Sequence, residues 1–409
     1  MSRIGVIAEF NPFHNGHKYL IDSAKEITGA DETIALMSGN FVQRGFPAIA
    51  DKYTRAESAV IGGVDIVFES PVLYASGSAR DFATGAVAIL SATNSIDYLA
   101  FGVEDEEQEL FYEVADILAE EPPEYKKILN EYLSKGLSYP SASEKAIKSL
   151  LSNKVSTIIY KPNNILAISY LTAIKKISSS IRPVIIKRCD PGYDSVEVNG
   201  KYASATAIRN ALVEKKSIKE FVPKNTSKPY AEFTKKEIPD STWLTPFIAS
   251  RIIYDRNLSE EISQLSKVLD MTPELLNRLR KAPLPIKYIE IQDYLKTKNL
   301  TMSRVSRVLL HVVLGIQTED RTNAYENGYA EYINLLAFKD TKSNVLKDIA
   351  ESSKLEIINK KSNFDPTTPI GERMWQLDKL ATDLYNQLIY DNLNIRLHGE
   401  LSCNVKVVK

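Results

Sequence analysis

The tetrapeptide His14-Asn15-Gly16-His17 holds two of the chain's four histidines. Imidazoles three residues apart can face one phosphate together and stabilise charge at a phosphorus under attack. Gly16 between them lets an anion approach the backbone closely. The surrounding string, GVIAEFNPFHNGHKYLI, runs from an apolar strand-like stretch (Arg3 to Phe10) through the turn Asn11-Pro12 into a helical pattern. Leu20, Ala24 and Ile27 recur there at i, i+4 and i+7, which gives that helix one buried face. A strand that hands its chain to a helix start leaves N–H groups pointing outward, so backbone and imidazoles read together as an anion site. No carboxylate stands at a spacing that would complete a metal ligand set with the histidines, and no metal site is expected.

The elements that must position these residues are legible nearby. Thr33 to Met37 and Val64 to Phe68 read as buried strands, Lys52 to Ile61 and Ser78 to Ala92 as helices, and Asp97 to Phe101 as a further strand stopping at Gly102. This alternation predicts an α/β fold, a doubly wound parallel sheet of Rossmann-like type, with ligands at the carboxyl ends of its strands. Asn163 to Ile177 reads as a helix and Pro183 to Lys187 as a strand. Ala203 to Leu212 reads as a strand-to-helix junction with Ser204 as its N-cap. Pro223, Pro229, Pro239 and Pro246 fall among Lys, Ser and Thr, which places a linker at 221–246 between a domain at 1–220 and a mainly helical one at 247–409. Helices are expected there at Thr245 to Tyr254, Leu258 to Leu269, Pro273 to Lys281, Ile289 to Lys296 and Ser303 to Leu314.

Composition narrows the setting. The 409 residues carry a net charge of −1, so any nucleic-acid surface must be a local patch. Two cysteines cannot build a disulfide scaffold, no apolar run is long enough to span a membrane, and the N-terminus shows no signal-peptide pattern. A protein of the reducing cytoplasm, without membrane contact, is the expectation.

The HxGH tetrapeptide after a first strand resembles the signature of the HIGH-type nucleotidyltransferases. Longer strings, EFNPFHNGH, SGNFVQRG, DKYTRAE, FESP and FGVE, resemble the bacterial tRNA(Met) cytidine acetate ligase family, and PNNILA, IKR and SATAIR continue that similarity. The resemblance implies an enzyme that activates acetate with ATP to acetyl-adenylate, releasing pyrophosphate. It would then acetylate N4 of the wobble cytidine of elongator tRNA(Met). ATP is implied as substrate with Mg2+ on its phosphates, and acetate and the tRNA as partners. The resemblance also implies that Ile7, Ala8, Glu9, Phe10, Asn11, Pro12, Phe13, Asn15, Gly16, Lys18, Tyr19 and Leu20 wrap the ATP, with His14 and His17 catalytic at its α-phosphate. Gly102, one of Asn163 and Asn164, and Arg188 match nucleotide-contacting positions. Ser204, Thr206 and Arg209 match the second signature, which grips the outer phosphates; Ala203 and Ala205 depart from the wider superfamily pattern there.

Gln43, Arg44, Lys52 and Arg55 follow the second strand and are candidates for phosphate, acetate or tRNA. Between Arg278 and Arg307, the cations Arg278, Arg280, Lys281, Lys287, Lys296, Lys298, Arg304 and Arg307 face only Glu290 and Asp293, with Tyr288 and Tyr294 interleaved. That pattern suits phosphate contacts plus base stacking, and marks the expected tRNA surface. Two other readings compete. A stand-alone adenylyltransferase acting on a phosphorylated metabolite would need only half this length. An RNA-binding protein with a degenerate nucleotide pocket would not need both histidines, Gly16 and Arg209 together.

Overall fold

The described residues of the computed structural model are 2–151, 155, 158–189, 201–231, 233, 237–259, 262–298 and 300–409. They contain β1 (Arg3–Ala8), β2 (Glu32–Ser38), β3 (Ile66–Ser70), β4 (Tyr98–Val103), β5 (Arg182–Lys187), β6 (Ile333–Lys339), β7 (Ile357–Ile358) and β8 (Lys406–Val408). One sheet holds them in the order β5-β4-β1-β2-β3-β6-β7, with β8 also paired to β6. The first five strands run parallel, as the alternation of elements predicts. β2 is buried along its whole length because both faces of the sheet are covered. Ile34 and Leu36 enter the core on one face, under the Ala79–Ala92 and Pro162–Lys176 helices, while Ala35 and Met37 enter the core on the other.

Chain order sets where a ligand can sit. From β1 the chain builds outward through β2 and β3, then crosses to the opposite side for β4 and β5. The strand order therefore reverses beside β1, and the crevice of a doubly wound sheet opens at such a switch point.

The second half of the chain returns to this sheet. β6 lies antiparallel to β3 and brings β7 and β8 with it. The run INLLAFK is nearly continuous in apolar residues, so periodicity alone did not distinguish it from a helix segment. Helices at Thr245–Arg256, Pro273–Lys281, Tyr288–Leu295, Met302–Leu314 and Pro369–Leu393 pack on a core shared with Phe41, Val72, Leu73 and Tyr74 of the first half. The helix expected over Leu258 to Leu269 is not formed; among its described residues only the 3-10 turn Leu265–Lys267 is helical. Among the described residues, no helix is long and apolar enough to cross a membrane.

Candidate functional site

His14 is the N-cap of the Asn15–Thr28 helix. Its Nδ1 accepts the Gly16 N–H at 3.1 Å, and His17 Nδ1 accepts the His14 N–H at 3.2 Å. The two rings stack with centroids 3.8 Å apart. Because both Nδ1 atoms accept, the hydrogen of each neutral ring resides on Nε2, and both rings line the crevice. Burial, then the charges of Arg188 and Arg209, push His14 down to about 3, so it stays a neutral donor. The backbone plays a smaller part than its sequence implies. The Asn15 N–H bonds Phe221 O, Gly16 bonds the His14 ring, and His17 and Lys18 bond His14 O. The helix start thus spends its first N–H groups within the protein.

A second wall of the crevice comes from the β4 and β5 side. A side chain at Gly102 would place its Cβ 2.9 Å from Arg188 Cγ, so the glycine is what lets this arginine lie against the strand end. Arg188 Nη1 donates to Asn163 Oδ1 at 3.2 Å, and Asn163 Nδ2 donates to Glu104 Oε1 at 2.8 Å. Ser204 caps the Ala205–Val213 helix by accepting the Ala207 N–H, so Ala205 and Thr206 at that helix start line the crevice with it. Arg209 ties the wall to the signature loop, donating to Asn11 O and to Thr206 Oγ1, each at 2.9 Å. Ile7, Ala8, Glu9, Phe10, Asn11 and Leu20 complete the lining with Gln43. Val6, Phe82, Phe101, Leu166 and Tyr170 line it too; Phe101 and Leu166 lie in the FGVE and PNNILA strings, whereas Phe82 and Tyr170 look like ordinary core in sequence.

Several expected contacts go elsewhere. Asn164 is fully buried and pins the loop after β4, accepting the Glu104 N–H at 2.8 Å and donating to Asp105 at 2.6 Å. Asn163 therefore faces the crevice and Asn164 does not. Asn15 donates to Lys201 O and Glu220 O, bracing the second signature rather than a ligand. Pro12 does not line the crevice, and Phe13 fills the space over Gly62. Lys18 pairs with Asp22 at 2.6 Å on an exposed face, while Tyr19 meets the Tyr202 ring and, with Gly16, lines a smaller hollow beside His14, His17, Gly102 and Arg188. Lys52 is withdrawn from any ligand: its Nζ lies 2.7 Å from both Glu69 and Glu400, with no exposure. Arg55 is equally buried and donates to the carbonyls of Ala50, Glu9, Ser38 and Gly39. Local sequence could not show these partners, because burial of each cation depends on remote segments. Arg44 is half-buried and does not line the crevice.

The basic stretch divides in two. Lys281, Lys287, Lys296 and Lys298 are exposed. Arg278 donates to Tyr294 O and lies over that ring, and Arg280 pairs with Asp255 at 3.0 Å. Arg304 and Arg307 instead line a cleft of about 800 Å³ with Arg80, Arg321, Tyr139 and Tyr325. This cleft shares the Ala79–Ala92 and Pro162–Lys176 helices with the histidine crevice.

Residues 1–400 match the family model described as HIGH nucleotidyl transferase. The chain is 38% identical over 400 residues to a tRNA(Met) cytidine acetate ligase from Thermoanaerobacter sp. (strain X514), covering 97% of each. It is 40% identical over 399 residues to one from Caldanaerobacter subterraneus subsp. tengcongensis, again covering 97% of each. The chain belongs to this ligase family of HIGH nucleotidyl transferases. Family membership extends to the whole fold: the crystal structure of Thermotoga maritima TmcAL bound with alpha-thio ATP superposes with a TM-score of 0.89 at 31% identity, covering 100% of both chains.

Proposed function

We propose that this protein is an ATP-dependent, AMP-forming acetate ligase that acetylates N4 of the wobble cytidine of elongator tRNA(Met). The observation that carries this reading is the stacked His14–His17 pair, with both Nε2–H donors in a crevice walled by the two signatures, in a chain whose relatives bear that name. In the first step an acetate oxygen attacks the α-phosphorus of ATP and pyrophosphate leaves. No side-chain nucleophile is required. His14 and His17 stabilise charge on the α-phosphate oxygens, while Arg188, Arg209 and the Ala205–Val213 helix start neutralise the outer phosphates. Mg2+ bound with the ATP phosphates would add charge neutralisation there. In the second step the cytidine N4 attacks the acetyl carbonyl and AMP leaves. The 800 Å³ cleft, with its arginines and tyrosines, is where we place the tRNA segment around that base. The cytoplasm, where tRNA is found, is the compartment this activity requires.

The deciding experiment is ATP–pyrophosphate exchange with and without acetate, followed by mass spectrometry of the wobble cytidine. Exchange that requires acetate, and N4-acetylcytidine that depends on the protein, are the expected results. His17→Ala should lower exchange by about 100-fold or more, the scale of losing one such donor. Exchange without acetate would point to a metabolite adenylyltransferase instead.

A further inference from the structure

The two half-reactions make different demands on acid–base chemistry. Acetate arrives ionised and needs no base to attack the α-phosphorus. The cytidine N4 is a neutral amino group that must lose a proton as its bond to the acetyl carbon forms. Neither histidine is arranged to take that proton, because each Nδ1 already accepts a backbone N–H and each Nε2 carries the ring hydrogen. Arg188 is a cation, and Tyr170 is held protonated well above its usual range by burial and by the nearby Glu9 carboxylate. Among the described residues lining the crevice, Glu9 is the single carboxylate.

Its placement matches the need. Glu9 follows directly on the carboxyl end of β1, next to Phe10, whose backbone has a positive φ of 44°. A positive φ at an aromatic residue is strained and points to a local demand on chain direction. The Glu9 Oε1 accepts the Gln43 N–H at 3.0 Å, so the carboxylate turns toward the loop after β2. The proposed nucleotide wall comes from the opposite, β4 and β5 side. A carboxylate turned to that wall would repel phosphates, whereas the bond to Gln43 turns Glu9 toward the loop after β2.

We propose that Glu9 is the general base of acetyl transfer, accepting the N4 proton of the cytidine. The N4 lone pair bonds to the acetyl carbon, the carbon–oxygen bond to AMP breaks, AMP leaves as its phosphate anion, and the proton passes to Glu9. The backbone N–H of Gln43 orients the carboxylate for this. The proposal rests on the acetate-ligase reading, and the test separates the two.

The test is Glu9→Gln, which keeps an Oε1 acceptor for Gln43 and removes the base. Wild-type acetate-dependent exchange is the control for the ligase reading itself. Single-turnover transfer from enzyme-bound acetyl-adenylate to tRNA should fall by about 100-fold or more, a much larger loss than that of acetate-dependent exchange. The acid limb of the transfer–pH profile should disappear. Glu9→Asp, a shorter base, should retain that limb at reduced rate, and it serves as the readout if the glutamine variant does not fold. Equal losses in both half-reactions, a raised Mg2+ requirement in exchange, or a retained acid limb in Glu9→Gln would each overturn the assignment.

Discussion

Two pairs of cations stand near the carboxyl edge of the same sheet and have opposite fates. Arg188 donates to Asn163 and lines the crevice, and Arg209 donates to Thr206 and to the Asn11 carbonyl. Lys52 and Arg55 have no exposed surface and are consumed by the protein. Lys52 balances Glu69 and Glu400, and Arg55 gathers four backbone carbonyls. Burial separates the two pairs: a cation whose head lines the crevice can meet a ligand, and one enclosed by carboxylates or carbonyls becomes part of the fold.

The largest test of this contrast is Lys52→Met. It leaves Glu69 facing Glu400 in the core, and removing one partner of a buried pair typically costs about 3–5 kcal/mol. Burial already raises Glu69 above the usual carboxylate range, so the stranded pair should take up a proton. Urea unfolding should show the loss, with ATP affinity of the folded protein little changed. Weakened ATP binding at unaltered stability would break the comparison.

Arg209→Ala should behave the other way round. With Arg209 in its proposed role at the phosphates, the lost charged hydrogen bond costs about 1.5–3 kcal/mol, which is roughly 10- to 150-fold in ATP affinity. Stability at neutral pH should move far less. His14 sharpens the test. Its native value of about 3 lies below the unfolded value of 6.5, so the unfolded chain binds the extra proton. This contribution to stability is intact above pH 6.5 and is lost as pH falls from there toward 3. Arg209 is one cause of the depression, after burial and Arg188, so its removal should raise the His14 value. An NMR titration of the imidazole in the variant checks the direction; an unmoved value would mean that Arg209 does not face the ring.

The smallest effects belong to charges outside both groups. Lys281, Lys287, Lys296 and Lys298 are exposed. Each one that meets a tRNA phosphate should, when changed to Gln, flatten the log–log salt dependence of tRNA binding by about 0.7–0.9. Acetate-dependent exchange should be unaffected. Lysines that leave the slope unchanged are solvated, and the RNA contact then lies with Arg304 and Arg307 in the cleft.

Sequence alone determined what is encoded over short distances. Alternating apolar runs and helix starts fix the five parallel strands, and the Lys52–Ile61 helix begins and ends where its pattern does. The histidine pair was legible because the apolar pattern puts it at a helix start, whereas Gly102 and the Ser204–Arg209 string stood out through their resemblance to a known family. What tertiary structure decided is which polar groups are spent on the protein itself. Asn163 and Asn164 are adjacent in sequence, yet one faces the crevice and the other pins a loop. The N–H of Asn15 goes to Phe221, and Tyr53 beside the buried lysine bonds Glu400 across 347 residues. Glu9, one residue in a string that reads as ATP-wrapping, acquires a separate direction only from its bond to Gln43. Periodicity records how a residue relates to its neighbours along the chain. Whether its charge or hydrogen bond is satisfied depends on groups that only folding brings within 3 Å.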